Sequence, residues 1–343
     1  MRIAHVRERH APAGTPWRLA AAHDAGWLDL EVARRRAIVR NKALAHDRML
    51  FRQPVTTLDD HFVRGLRIEA LGELVEAFDG PRDEADDAVL DEADLDFGAP
   101  VLRPPSFRDF YAFERHVATM WRRRDMDIPE VWFRLPVFYF SNTSEIRGPD
   151  EPVWAPRGSQ ELDFELEVCA VVDTPAVDLV ADRAEEAIGG YTILNDWSAR
   201  DLQREETSVR LGPAKAKDFA SSIGPWIVTP DELEDARQGN GFHLEMTARV
   251  GDVPVSRGRW SDAQFSFGQM LERASADVRL RPGDLIGSGT VGTGCLLEVK
   301  DETLGRWLLP GDEVVLSIER LGQLRSPVIE RSTGRRSEAI GTS

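Results

Sequence analysis

The chain has 343 residues, of which 42% are apolar, so it is long enough for one large domain or two of ordinary size. Its net charge of −16 at pH 7 would repel phosphate backbones and anionic lipid, which argues against nucleic acid and membranes as partners. Cys169 and Cys295 lack disulfide or zinc-ligand spacing, and no apolar stretch has the length of a signal peptide or a membrane span. We therefore expect a cytoplasmic protein with reduced thiols.

The first hundred residues contain little that suggests chemistry. A short strand at residues 2–7 and a hairpin around residues 23–26 are expected, followed by helical stretches. Residues 81–96 are crowded with Asp and Glu, which is typical of a solvated linker or a helix surface. The breakers Pro100, Pro104 and Pro105 come next. The predicted division is a small N-terminal domain at 1–98, a larger domain at 99–325 and a flexible tail at 326–343.

Strand patterns dominate the larger domain. They are LDFELEVCAVV, FHLEMTARV, DLIGSGTV, CLLEV and DEVVLSIERL. Helices are expected from about Phe107 and over about residues 181–188. Because strands and helices do not alternate regularly, the sequence predicts a β-rich α+β fold rather than a doubly wound sheet.

The clearest chemical signal is the alternation of acidic and apolar residues from Leu162 to Val168. In a strand, this period of two places Asp163, Glu165 and Glu167 on one face. A half-buried strand with a solvated outer face would show the same pattern. If that face is enclosed, the carboxylates repel one another, and a cation would remove the repulsion.

Two further segments place polar groups at helical spacing. Asp196, Arg200 and Gln203 are spaced i, i+4, i+7 and would share a helix face, although an Asp and an Arg four apart are often only a surface ion pair. Asp109 and His116 are about two helical turns apart, so a metal ligand and a general base could face one site. A lone His on a helix is usually an ordinary surface or core residue.

A pair of lysines also stands out, because the chain has only four Lys residues. Lys215 and Lys217 lie two positions apart, just before the segment DFASSIGPW. A compact ammonium can stabilise a developing enolate or carboxylate, although a solvated loop pair is the plainer interpretation.

The segment from Gly287 to Gly292 matches the dinucleotide-binding pattern G-x-G-x-x-G. A dinucleotide fold needs a helix directly after it, whereas the residues from Thr293 to Val299 are predicted to form a strand. Nicotinamide binding is therefore disfavoured.

In their order along the chain, these segments resemble the fumarylacetoacetate hydrolase family, and within it the long form, from about Arg103 to Leu321. The first hundred residues resemble its small N-terminal barrel-like domain only loosely. The resemblance implies a catalytic domain built as a mixed β-sandwich roll. The segments that carry it are DFYAFERH, LPVFY, LDFELEV, GYTILNDWSARDLQ, KDFASSIGPW and GDLIGSGTVG.

The resemblance also implies a site. Its metal ligands would be Asp109, Glu165, Glu167 and Asp196, with Lys217 and Ser221 beside them. An all-oxygen site of this kind favours Mg²⁺, Ca²⁺ or Mn²⁺ over zinc. Its catalytic residues would be His116 as the base that activates water, Arg200 as the oxyanion partner, and Lys217. Its substrate contacts would be Tyr111, Tyr139, Gln203 and Thr290.

The implied activity is cleavage of a C–C bond in a small 1,3-dicarbonyl or acylpyruvate-type oxo-acid, by water, through a metal-stabilised enolate. A decarboxylase, hydratase or isomerase on the same scaffold is an alternative, and a non-catalytic metal-stabilised binding protein is another. The resemblance also implies a homodimer.

This sequence departs from the family in two respects, the acid that orients the histidine and the loop at residues 140–144. The short segment Gly292-Thr293-Gly294 offers no acid to orient His116, and the residue three after His116 is Thr119 rather than Glu. Residues 140–144 also differ from the corresponding run in the long form, which predicts a different substrate.

Overall fold

The computed structural model describes residues 1–12, 14–44, 49–78 and 88–331. The predicted β-rich α+β class is confirmed, since strands outnumber helices in the described part of the chain. The strands are β1 (Arg2–Glu8), β2 (Arg18–His23), β3 (Gly26–Asp29), β4 (Val89–Leu90), β5 (Leu95–Phe97), β6 (Phe107–Phe110), β7 (Phe138–Phe140), β8 (Ile146–Arg147), β9 (Leu162–Asp163), β10 (Leu166–Val172), β11 (Ile188–Asp196), β12 (Ser198–Ala199), β13 (Ser221–Val228), β14 (Arg237–Gln238), β15 (Gly241–Phe242), β16 (Glu245–Val250), β17 (Val253–Arg259), β18 (Leu285–Gly287), β19 (Glu313–Ile318) and β20 (Gly322–Pro327).

A mixed sheet of twelve strands runs through the described part of the chain. Its main order is β4-β3-β2-β1-β13-β11-β10-β18-β6-β7, with β5 paired to β1 and β8 to β13. A four-stranded antiparallel sheet has the order β17-β16-β19-β20, and two short ladders join β12 to β9 and β14 to β15.

The helices are short, and those described are too short or too polar to cross a membrane. The helix over Phe267–Ser275 begins with a capping box, in which Ser266 and Gln269 satisfy each other's backbone N–H groups. The helices are α1 (Leu30–Arg40), α2 (Met49–Arg52), α3 (Leu58–Val63), α4 (Gly72–Phe78), α5 (Glu114–Arg122), α6 (Ala181–Ala184), α7 (Arg200–Ser208), α8 (Phe267–Ser275) and α9 (Leu296–Val299).

Strand β10 is buried on both faces, and this explains its nearly continuous apolar sequence. Val168 and Ala170 belong to the core cluster that also contains the four-stranded sheet. Cys169 and Val171 belong to a second cluster, formed with the N-terminal strands and helices. The N-terminal region therefore covers one face of the strands that carry the acidic residues.

Several sequence predictions about local structure are confirmed. The N-terminal strand and hairpin are present as β1, β2 and β3, and the helix expected near residues 181–188 is present as α6 followed by a 3-10 turn. The division at residue 98 stays a prediction, and β1 pairs with β13 across it.

Other features differ from the sequence predictions. The predicted start of the tail at 326 falls inside β20, which continues to Pro327, and Val328 forms a β-bridge with Val153. The rest of the predicted tail, residues 332–343, and residues 81–87 of the predicted acidic segment lie outside the described residues. The segment from Phe107 begins as strand β6, and α5 starts only at Glu114. Residues 296–299, predicted to be a strand, form the single helical turn α9.

Candidate active site and metal centre

A cavity of about 680 Å³ brings the predicted site residues together. Eleven of the twelve residues named from the sequence line it, and the exception is Ser221. Ser221 lies directly beside the cavity, because it pairs in register with Asp196 on the neighbouring strand. The residues that line the cavity are Asp109, Tyr111, His116, Tyr139, Glu165, Glu167, Asp196, Arg200, Gln203, Lys217 and Thr290.

Three of the predicted metal ligands converge in this cavity. Asp109 on β6, Glu167 on β10 and Asp196 at the end of β11 each place a carboxylate oxygen within 4.8 Å of the others. All three are buried. Burial and the neighbouring Asp196 raise the pKa of Asp109, and burial with the adjacent Asp109 and Asp196 raises the pKa of Glu167. The interpretation of the acidic strand as a solvated face is therefore wrong.

The fourth predicted ligand, Glu165, is held differently. It lies outside the three-carboxylate group, and its oxygens accept hydrogen bonds from Arg200 at 2.7 Å and from Lys217. Burial alone would raise its pKa, but the two cations outweigh burial and hold the pKa below its ordinary value. Lys217 also contacts Asp196, so one ammonium bridges Glu165 to the carboxylate group. Lys215, in contrast, forms an exposed ion pair with Asp218.

The donor set fits a hard divalent cation. Asp109 Oδ1 and Asp196 Oδ1 are buried without a hydrogen-bond partner among the described residues. Buried carboxylate oxygens are normally satisfied, so two such atoms beside a third carboxylate indicate a place for a cation. The ligands are all oxygen, which suits Mg²⁺, Ca²⁺ or Mn²⁺. Whether Glu165 joins them as a ligand stays a prediction.

The predicted substrate-contact residues surround this group. The Tyr139 hydroxyl donates to Asp196 at 2.7 Å, and the Thr290 hydroxyl donates to Glu167 at 3.3 Å. Gln203 accepts a hydrogen bond from Arg200 at 3.0 Å. Tyr111 packs edge-on against the His116 ring, with 5.4 Å between the ring centroids. Their roles toward a substrate stay predictions.

The residues predicted to meet through helical spacing do lie in one cavity, but the predicted helices are wrong. Asp196 ends strand β11, and helix α7 begins only at Arg200, so these residues do not share a helix face. Asp109 likewise lies in a strand, and His116 in α5. They meet because strands β6 and β11 and helices α5 and α7 all end or begin at this cavity.

His116 has a carboxylate partner that the sequence did not reveal. Its Nδ1 lies 2.6 Å from Glu298 Oε1 in helix α9, and both side chains are buried. Glu298 is fixed in turn by the Thr293 backbone N–H at 3.1 Å. The sequence left the residue that orients His116 unidentified, and in the structure this residue is Glu298. The acid lies just beyond the short segment Gly292-Thr293-Gly294, because that segment leads almost directly into α9.

The glycine pattern at residues 287–292 has a local steric role. A Cβ on Gly287 would clash with Asp109 Oδ1, and a Cβ on Gly289 would lie 2.5 Å from the Phe110 carbonyl oxygen. Gly289 also has a φ of +79° and donates its N–H to Glu167 at 2.9 Å. These glycines let the loop approach the carboxylate group closely.

We expect Gly287→Ala to weaken divalent-metal binding by about 10- to 100-fold, since the added methyl group would displace the Asp109 carboxylate. Isothermal titration with Mn²⁺ or Mg²⁺ measures this. Gly72→Ala is the matched control, because a Cβ there meets nothing within 4 Å. Unchanged metal affinity in Gly287→Ala would contradict the placement of Asp109 in the metal site.

Several known proteins are similar in sequence to this chain. A family profile described as "Fumarylacetoacetate (FAA) hydrolase C-terminal" matches residues 106–329. The fumarylacetoacetase of Arabidopsis thaliana is 30% identical over 273 residues, covering 62% of this chain and 64% of that protein. A 2,4-didehydro-3-deoxy-L-rhamnonate hydrolase of Sphingomonas is 30% identical over 198 residues, covering 57% and 65%. The chain thus spans less than two thirds of the length of these two relatives.

Among solved structures, a fumarylacetoacetate hydrolase from the psychrophile Exiguobacterium antarcticum superposes with a TM-score of 0.66 at 23% identity. The match covers 96% of this chain and 100% of that one. At this level of identity, the likeness establishes a shared fold that extends over the N-terminal region as well.

Proposed function

Because the chain belongs to the fumarylacetoacetate hydrolase family, we propose that it is a divalent-metal-dependent hydrolase that cleaves a C–C bond in a small 1,3-dicarbonyl or acylpyruvate-type oxo-acid. One observation carries the proposal. A three-carboxylate group with unsatisfied oxygens lies in the same cavity as His116, which is held by the buried Glu298.

The contacts within the cavity suggest a role for each of these residues. When bound, a hard divalent cation held by Asp109, Glu167 and Asp196 would polarise the carbonyl group of the oxo-acid. His116 Nδ1–H would donate a hydrogen bond to Glu298, which leaves the lone pair of Nε2 free to take a proton from water.

The resulting hydroxide adds to the acyl carbonyl carbon, and the bond from that carbon to the methylene carbon breaks. The electron pair leaves on the methylene carbon and is delocalised onto the neighbouring oxygen as an enolate. Lys217 and the amide group of Gln203 would stabilise this charge from the cavity wall. Return of the proton to the methylene carbon gives a carboxylic acid and a 2-oxo acid, so one water is consumed for each bond cleaved.

Product analysis tests the proposal and separates it from its alternatives. The protein with Mg²⁺ or Mn²⁺ is incubated in ¹⁸O-water with acetylpyruvate and, separately, with oxaloacetate. Hydrolysis should give pyruvate and ¹⁸O-labelled acetate from the first substrate. Decarboxylation of oxaloacetate without cleavage of acylpyruvates would favour the decarboxylase instead. Metal binding without turnover of any oxo-acid would favour a binding protein. Homodimer assembly and a cytoplasmic location remain predictions.

We expect Glu298→Gln to lower kcat by about 10- to 100-fold with a smaller effect on KM, because the neutral amide no longer stabilises the protonated His116. The amide nitrogen would also face the Thr293 N–H, which now donates to Glu298. Steady-state kinetics on the cleaved oxo-acid measures the effect. An unchanged kcat would show that this carboxylate does not assist the base.

A further inference from the structure

Asp163, the first acid of the alternating strand motif, has no place in the mechanism above. It is completely buried, and it is not among the residues that line the cavity. Its carboxylate nevertheless connects two parts of the site. Oδ1 accepts from the Leu296 backbone N–H at 2.8 Å, and Oδ2 accepts from the Leu297 N–H at 2.9 Å and from Arg200 Nε at 2.8 Å.

The backbone contacts fix the segment that carries Glu298. Leu296 and Leu297 are the first two residues of α9, a helix of four residues, and Glu298 is the third. A single helical turn is not stable by itself in water, because nucleation costs more than one turn of hydrogen bonds returns. The position of α9 therefore depends on its anchors, and Asp163 accepts both N–H groups that open it.

The contact with Arg200 fixes the other part. The guanidinium is buried between two carboxylates, since Nε donates to Asp163 and Nη2 donates to Glu165. The remaining nitrogen, Nη1, donates to Gln203. Each carboxylate contributes part of the compensation that a buried cation requires.

We propose that Asp163 is a positioning residue that holds the His116–Glu298 pair at a fixed position relative to the Arg200–Glu165 pair. The inference rests on the proposed function for its kinetic consequence, but its structural consequence is independent of turnover. Asp163→Asn keeps the size of the side chain and turns one acceptor into a donor. Whichever way the amide turns, its nitrogen faces groups that now donate to Asp163, either Leu297 and Arg200 or Leu296 and Phe164. Helix α9 should then shift, and Glu298 should lose its hold on His116 Nδ1.

The direct readout is the ring nitrogen of His116 that carries the proton. In protein labelled with ¹⁵N-histidine, the His116 signals are identified by their absence from His116→Asn, and their shifts report the tautomer. In Asp163→Asn the fraction with the proton on Nδ1 should fall. Asp59→Asn is the matched control, because Asp59 is also a buried carboxylate that accepts two backbone N–H groups, from Leu102 and Arg103. It should leave the His116 tautomer unchanged.

A double-mutant cycle supplies the kinetic test. As a single substitution, Asp163→Asn should lower kcat by about 10- to 100-fold. If Asp163 acts through Glu298, adding Asp163→Asn to the Glu298→Gln variant should lower kcat much less. If Asp163→Asn does not fold, Asp163→Ser, which leaves room for water, takes its place. An unchanged His116 tautomer, or losses that multiply in the double variant, would overturn the inference. If no oxo-acid is cleaved by the wild type, the proposed function fails while the tautomer measurement still decides the role of Asp163.

Discussion

Replacement of His116 by Asn is expected to lower kcat for acylpyruvate hydrolysis by about 10²- to 10⁴-fold, the usual contribution of a general base. His116 lines the cavity and is the residue there that Glu298 holds in a defined orientation. Asn retains a donor that can reach Glu298, so the buried carboxylate is not left without a partner. The loss should therefore appear in turnover rather than in folding.

Three measurements make this result interpretable. Thermal unfolding checks that His116→Asn is folded, and titration with Mn²⁺ checks that metal affinity is retained. Turnover of His61→Asn is the control, because His61 is also buried and hydrogen-bonded, to the Arg67 carbonyl, but lies in α3 of the N-terminal region. This variant should be less stable and keep kcat nearly unchanged.

The same His116 variant separates hydrolysis from decarboxylation. Decarboxylation of a 2-oxo acid needs no activated water, whereas hydrolysis of an acylpyruvate does. If His116→Asn keeps decarboxylase activity and loses hydrolase activity, water activation is the role of His116. If both activities survive at wild-type level, His116 is not the base and the proposed mechanism is wrong.

The sequence predicted which residues gather at the cavity better than it predicted their local structure. The period of two from Leu162 to Val168 pointed to Glu167, which lies in the carboxylate group, but the strand is interrupted at Phe164 and Glu165. It could not show that the acidic face is enclosed, because the groups that cover it come from distant parts of the chain. Lys217 follows the acidic strand by about fifty residues, and the Gly289 loop follows it by more than a hundred.

Glu298 was missed for a similar reason. The segment CLLEV is rich in strand-forming residues, and local propensity favours a strand there. In the folded protein, Asp163 accepts the N–H groups of Leu296 and Leu297 and holds the segment as a helical turn. This is a tertiary contact across more than 130 residues, which neither the period of the apolar residues nor a short motif encodes. The signal that the sequence did offer was a single acid, Glu298, within the apolar run from Cys295 to Val299.

Removal of one carboxylate from the metal centre is expected to raise the stability of the metal-free protein and to lower that of the metal-bound protein. At about 4.8 Å, two like charges repel by about 3 kcal/mol at an effective dielectric constant of 20. Without a bound metal ion, the positive charge of Lys217 is shared between Glu165 and Asp196. Among the described residues, no Lys or Arg side chain contacts Asp109. Asp109→Asn removes one of the repelling charges without a change of size. In EDTA we expect the free energy of unfolding of Asp109→Asn to be about 1–3 kcal/mol higher than that of the wild type, so the variant is the more stable protein.

With metal the order should reverse. A cation that binds only the folded protein stabilises it by about 2.7 kcal/mol at one hundred times its dissociation constant. The wild type should therefore gain stability and activity when Mg²⁺ or Mn²⁺ is added after chelation, whereas Asp109→Asn should gain little of either.

Unfolding is followed in EDTA and in excess metal for the wild type, Asp109→Asn and the control Asp252→Asn, which changes an exposed turn residue. The control should respond to metal like the wild type. If Asp109→Asn is the less stable protein in EDTA, or if metal does not stabilise the wild type, the three carboxylates do not form a cation site. The reversal is diagnostic because a purely structural role for Asp109 would lower stability under both conditions, and only a ligand that repels its neighbours in the absence of the ion changes sign.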